Sequence, residues 1–172
     1  MTSLVVGIGD CQVTSKPGDV LITYALGSCI GIAIHDPVAK VGGLLHLMLP
    51  ESTINPERAQ QNPFVFADTG IPLLFRRAYE CGAQKNRLVV SVAGGAQVLD
   101  EQEVFNIGKR NHAAVRKILW KAGCLIKNEA VGGTAARTMR LDMETGQVWL
   151  RTSGEGDCEM TKTQLAAVSR RI

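Results

Sequence analysis

The chain has 172 residues, 45% of them apolar and 20% charged, with a net charge of +3. That balance excludes a disordered chain, and the length suits one domain, residues 1–172, burying roughly 70% of its unfolded surface. Aromatic residues make up only 5% while glycines number 18, which predicts an aliphatic core with many tight turns and excludes a nucleic-acid binder that stacks bases on aromatic platforms.

The start, Met1 to Asp10, has no basic segment leading an apolar run, so no signal peptide is expected. No apolar stretch reaches 18 residues, so no membrane insertion is expected either. Cys11, Cys29, Cys81, Cys124 and Cys158 are odd in number and scattered, which fits reduced thiols in a cytoplasmic protein. No CxxC, HxxH or HExxH pair occurs, so no metal site is expected.

In chain order, Leu4 to Ile8 reads as a strand, closed by the turn Thr14-Ser15-Lys16-Pro17-Gly18. Val20 to Leu26 is a second run. Ile30, Ile32 and Ile34 alternate with Gly31, Ala33 and His35, and Gly42 to Leu49 is a fourth run, stopped by Pro50. Four runs in fifty residues predict a mostly antiparallel sheet. Residues 51–67 are polar and hold Pro56 and Pro63, which predicts a long loop. A helix follows from Thr69, with Pro72 in its first turn, Ile71, Leu74, Phe75 and Ala78 on one face, and Gly82 supplying a left-handed end. Leu88 to Val92 is a strand ending at Gly94-Gly95.

The strongest helical pattern runs from Gly108 to Ala122, with Asn106 as its cap and Gly123 ending it. Asn111, Ala114, Val115, Ile118 and Leu119 line one face, while Lys109, Arg110, Arg116, Lys117 and Lys121 surround the rest. Strands are expected near 124–130, 136–143 and 147–152, then a short helix near 161–170. The predicted class is α/β of the α+β kind: one layered domain.

The sharpest local feature is Gly27-Ser28-Cys29-Ile30-Gly31, a thiol between two glycines just after a strand. Flanking glycines let the backbone turn tightly and let a carbonyl approach main-chain N–H groups. The same residues equally describe a small thiol buried in a strand junction. A nucleophilic cysteine needs a base. His35, at a strand end, and His112, in the basic helix, both read as surface residues. His46 sits within Leu44-Leu45-His46-Leu47-Met48-Leu49, where a buried ring needs a partner. Neighbouring strands could set His46 beside Cys29, with Thr23 holding its second ring nitrogen; a purely structural histidine fits as well.

Five segments then recur in one order. They are Leu26-Gly27-Ser28-Cys29, Gly42-Gly43-Leu44-Leu45-His46-Leu47-Met48-Leu49-Pro50, Gly94-Gly95-Ala96, Ile107-Gly108-Lys109-Arg110-Asn111, and Gly132-Gly133 with Arg137. From about Gly7 to Leu150 the chain resembles the CheD family, the chemoreceptor glutamine deamidases of bacterial chemotaxis. The resemblance implies a Cys, His and Thr triad at Cys29, His46 and Thr23, with main-chain N–H groups at Ser28 and Cys29 on the oxyanion side. It implies a layered sandwich of mostly antiparallel sheet with outer helices, similar to the catalytic domain of cytotoxic necrotizing factor toxins. The implied reaction turns receptor glutamine side chains into glutamate plus ammonia through a cysteine thioester, with no cofactor.

The implied partners are the cytoplasmic helical domain of methyl-accepting chemotaxis receptors and a CheC-type phosphatase. Two other readings share these residues: a non-catalytic regulator that stimulates such a phosphatase, and a receptor glutamate methylesterase. The sequence departs from the family in two places. Ser91-Val92-Ala93 precedes Gly94 where Lys-Phe or Lys-Leu-Phe is common, and Ala136 replaces the last glycine of GGxxGR. Neither touches the triad.

Overall fold

The computed structural model describes residues 1–97 and 106–160. In chain order the elements are β1 (Thr2–Val5), β2 (Asp10–Thr14), β3 (Asp19–Leu26), β4 (Ile30–Asp36), β5 (Val41–Leu47), α1 (Pro56–Gln61) and α2 (Ala67–Glu80). Then come β6 (Val89–Gly94), α3 (Ile107–Lys121), β7 (Ile126–Val131), β8 (Arg137–Asp142), β9 (Val148–Thr152) and β10 (Asp157–Glu159). The helix expected near 161–170 lies outside the described residues.

The strands form two five-stranded sheets, in the orders β1-β3-β8-β9-β10 and β2-β5-β4-β6-β7. Pairing is antiparallel except between β1 and β3 and between β6 and β7. Helices α2 and α3 pack on the far side of the second sheet. That sheet is therefore buried on both faces, and every residue of β4 and β5 is buried. Ile30, Ile32 and Ile34 turn toward Leu74, Phe75, Val115 and Leu119, while Ala33 and Leu44 turn toward Leu21, Leu26, Met139 and Leu141 of the first sheet. The outcome is an α+β sandwich in three layers, with both long helices on one face.

Period-2 alternation thus serves two cores at once, which is why small and large side chains alternate along β4. At Gly31 an added Cβ would lie 2.9 Å from Leu26 Cδ1 and 3.0 Å from Met139 Sδ, so a glycine there lets the sheets close on each other.

Several sequence expectations need correction. The run from Leu4 to Ile8 is not one strand: β1 stops at Val5, and residues 6–9 cross the edge of the sandwich to an unforeseen β2. Gly9, at φ +70, makes that bend and donates its N–H to the His46 carbonyl at 2.8 Å. The first four runs divide between two sheets rather than forming one.

The expected loop at 51–67 contains α1 and two short 3-10 turns, Ser52–Ile54 and Pro63–Val65. Asn55 and Asn62 cap elements that begin with Pro56 and Pro63; each cap side chain accepts an amide hydrogen, from Arg58 and Phe64. α2 begins at Ala67, so Pro72 sits in its second turn rather than its first. Asn106 is not a side-chain cap: it adopts the left-handed conformation, φ 46 and ψ 44, and makes no cap bond. Gly82 and Gly123 do end α2 and α3 at positive φ, as the sequence predicts.

Candidate active site

Thr23 and His46 are brought into contact from opposite layers. Thr23 lies on β3 of the first sheet and His46 on β5 of the second, and both side chains are buried between the layers. Thr23 Oγ1 is 2.7 Å from His46 Nδ1 and 2.6 Å from the Val6 carbonyl oxygen. A carbonyl can only accept, and a hydroxyl has one hydrogen to give. Thr23 therefore donates to Val6 and accepts from His46, which places a hydrogen on Nδ1 and leaves the Nε2 lone pair free.

The register turns Cys29 toward the face that His46 shares. Gly31 pairs with His46 across β4 and β5, and Cys29, two residues earlier than Gly31, faces the same way. Cys29 and His46 are thus diagonal neighbours on the face between the sheets. Cys29 sits at the point where the chain crosses from one sheet to the other. His46 Nε2 has no hydrogen-bond partner among the described residues, so the bond between Sγ and Nε2 is not made in the resting structure.

Burial pushes the His46 imidazole down to about 4 and the Cys29 thiol up, with the Cys29 amide beside Sγ pulling the thiol partly back. Both groups are therefore neutral at rest. His46 can take a proton on Nε2, and the thiol is a nucleophile only once it gives one up.

The loop carrying Cys29 is pinned on all sides. The Gly27 carbonyl accepts from Ala96 N–H at 2.8 Å and the Cys29 carbonyl from Gly95 N–H at 2.9 Å. Asn111 of α3, wholly buried, donates from Nδ2 to the carbonyls of Ser28 and Met48, both at 2.9 Å. Arg137 donates to the Gly94 and Gly132 carbonyls at 3.2 and 2.8 Å, tying β8 to the same corner. A small cleft of about 110 Å³ opens there, lined by Ser28, Gly95, Ala96, Gly108, Lys109 and Gly133 among others. Ser28 borders it; Cys29 and His46 do not line it.

The other two histidines are placed differently from expectation. His35 is buried, held under the β8–β9 turn where Gly146 leaves no room for a Cβ, and His112 is half-buried and bonded to Glu129 of β7. Cys11, Cys29, Cys81 and Cys124 form no disulfide. The sequence missed two contributors. The Val6 carbonyl carries no side-chain signal, whereas Asn111 was visible as an amide within an apolar helix stripe.

Comparison with known proteins gives consistent relatives. The family model described as CheD chemotactic sensory transduction matches residues 48–152, which include Asn111 and Arg137 and begin after Thr23, Cys29 and His46. Three relatives cover the earlier residues as well. A Solibacter usitatus protein named probable chemoreceptor glutamine deamidase CheD is 55% identical over 155 residues, 90% of this chain and 92% of that one. Relatives of the same description from Syntrophus aciditrophicus and Anaeromyxobacter dehalogenans are 50% and 47% identical, covering 90% of this chain and 96% and 98% of theirs. A crystal structure of a Neisseria meningitidis protein of family DUF152 is similar at a TM-score of 0.45 and 10% identity, covering 78% of this chain and 64% of that one, too distant to inform the site.

Proposed function

The chain belongs to the CheD family, and from that premise we propose that it is a chemoreceptor glutamine deamidase with Cys29 as nucleophile, His46 as base and Thr23 as the residue that orients the base. The observation that carries the assignment is the free Nε2 lone pair of His46, held by Thr23 on the face that Cys29 shares.

In this mechanism a substrate carboxamide enters beside Ser28, and rotation of the Cys29 side chain brings Sγ to Nε2. His46 takes the thiol proton as sulfur attacks the amide carbon. The tetrahedral oxyanion is met by the Ser28 and Cys29 amides. Collapse breaks the C–N bond; His46 returns the proton to nitrogen, ammonia leaves, and a γ-glutamyl thioester remains. Water, losing a proton to His46, then hydrolyses the thioester to glutamate and restores the thiol. The whole chain acts as one unit in the cytoplasm. No helix among the described residues is long and apolar enough to cross a membrane.

The receptor's helical domain docks along α3, whose Lys109, Arg110, Arg116 and Lys117 present positive charge beginning at the cleft. A CheC-type phosphatase is the proposed regulatory partner. Incubation with a receptor cytoplasmic domain, followed by peptide mass mapping and an ammonia assay, tests the reading. Glutamines converted to glutamate with matching ammonia, and none with Cys29→Ala, are expected. Release of methanol from methylated receptor instead points to the methylesterase. Tight binding of the phosphatase with no change in the receptor points to the regulator.

A further inference from the structure

We infer that Asn111 is a positioning residue for this reaction: by holding the Ser28 carbonyl it aims the Cys29 amide hydrogen at the place where the oxyanion forms. This rests on the deamidase reading above. All three carbonyls of Gly27-Ser28-Cys29 are anchored, to Ala96 N–H, Asn111 Nδ2 and Gly95 N–H in turn. A trans peptide is planar, and its C=O and N–H point in opposite directions. Fixing the Ser28 oxygen on α3 therefore turns the Cys29 N–H away from α3, back toward the side where its own Sγ lies. The amides of Ser28 and Cys29 make no hydrogen bond to a carbonyl or another side chain among the described residues, so both stay available to substrate.

Two of the three anchors are main chain and cannot be altered by a simple substitution. Asn111 is the third. The same Nδ2 also donates to Met48, at the end of the β4–β5 ladder. Ile30 pairs with Leu47, so one step further Cys29 would face Met48, but the Met48 N–H instead bonds to the Val65 carbonyl at 2.8 Å. Asn111 bridges the strands where their ladder stops. The amide cannot be turned over, because Oδ1 would then face two carbonyl oxygens. α3 reaches this depth because residue 108 is glycine: a Cβ there would lie 2.6 Å from Gly95 O and 2.8 Å from Ala96 O.

Asn111→Leu keeps the size and removes both donors. Asn111→Asp keeps one donor whenever its carboxyl is protonated, and serves where the leucine variant does not fold. Two rates are read: kcat on receptor glutamines, and alkylation of Cys29 by iodoacetamide, followed at its own peptide. Alkylation needs the thiol and its base but develops no oxyanion. The expected result is a kcat about a hundredfold lower for Asn111→Leu, with KM and the alkylation rate close to wild type. Asn111→Asp is expected to lie between, losing kcat as rising pH ionises its carboxyl.

Alkylation slowing in step with kcat overturns the proposal, since Asn111 would then serve the pairing of Cys29 with His46. An unchanged kcat overturns it too. Wild-type protein inactive on receptor glutamines overturns the deamidase reading and this proposal with it; active wild-type protein matched by the variants overturns this proposal alone.

Discussion

The Thr23 hydroxyl accepts the Nδ1 hydrogen of His46 while spending its own hydrogen on the Val6 carbonyl. That single side chain decides which imidazole nitrogen is free. Main chain stands behind the threonine, so the direction of the hydrogen bonds is fixed by a carbonyl oxygen that no substitution at position 6 removes.

Thr23→Val keeps the shape and removes the hydroxyl. It leaves a buried carbonyl and a buried ring N–H without their partner, each costing about 1–3 kcal/mol. We expect kcat on receptor glutamines to fall on the order of a hundredfold, the size of a general-base contribution. Thr23→Ser should recover most of both losses. Steady-state kinetics beside urea midpoints make the check, and a valine variant with wild-type kcat removes Thr23 from the site.

Cys29→Ala should lower turnover by about 10⁴-fold or more, the scale seen when a covalent nucleophile is lost. Its melting temperature should change little, because the thiol makes no disulfide and alanine suits the same buried face. A variant within tenfold of wild type sinks the nucleophile assignment.

His46 titrates near 4 in the folded chain against an ordinary 6.5. Between those values the unfolded chain binds more protons, so stability falls as pH falls through that window, by up to about 3 kcal/mol below it. His35, also lowered by burial, acts in the same direction. Urea midpoints measured from pH 7 to pH 4 should drop, and His46→Gln should flatten the slope. The acid limb of kcat/KM should lie near 4, well below the imidazole range; a limb near 6.5 would mean that burial does not lower the His46 imidazole in the free enzyme.

Two glycines separate steric from conformational cost. Gly94 has φ +113, and an added Cβ would land on the Cys29 carbonyl oxygen, whereas Gly132 has φ +82 with open space around it. Gly94→Ala should cost at least about 2 kcal/mol and most of the activity, because it displaces the loop that carries Cys29. Gly132→Ala should cost about 1 kcal/mol with activity largely kept. Equal effects in denaturation and kinetics would refute the close approach at Gly94.

Much of this arrangement was legible in advance, and the remainder was not for identifiable reasons. The alternation through Ile30, Ile32 and Ile34, the glycine stops after α2 and α3, and the oddity of His46 in an apolar run all declare themselves locally. The partition into two sheets does not, since period 2 says which residues share a face but not which strand lies opposite. β2 escaped because Cys11 and Val13 offer only two apolar positions, and the helix at 56–61 because a polar stretch holding Pro56 fits a loop as well as a helix that starts with proline behind an Asn55 cap. His35 is buried by a turn more than a hundred residues away. The triad positions came from resemblance to a family; the residues alone had permitted them among other accounts.

The layering carries a consequence for how the protein would fail. One sheet brings Thr23, the other brings His46, and Cys29 rides on the strand-to-strand crossing between them. A loosened globule that keeps its strands and helices but lets the layers slide would retain its far-ultraviolet dichroism and lose the Thr23–His46 contact. Catalysis should therefore vanish ahead of secondary structure on mild heating or in low denaturant. Enzyme assay would act as a gauge of interlayer docking, finer than any spectroscopic measure of backbone order.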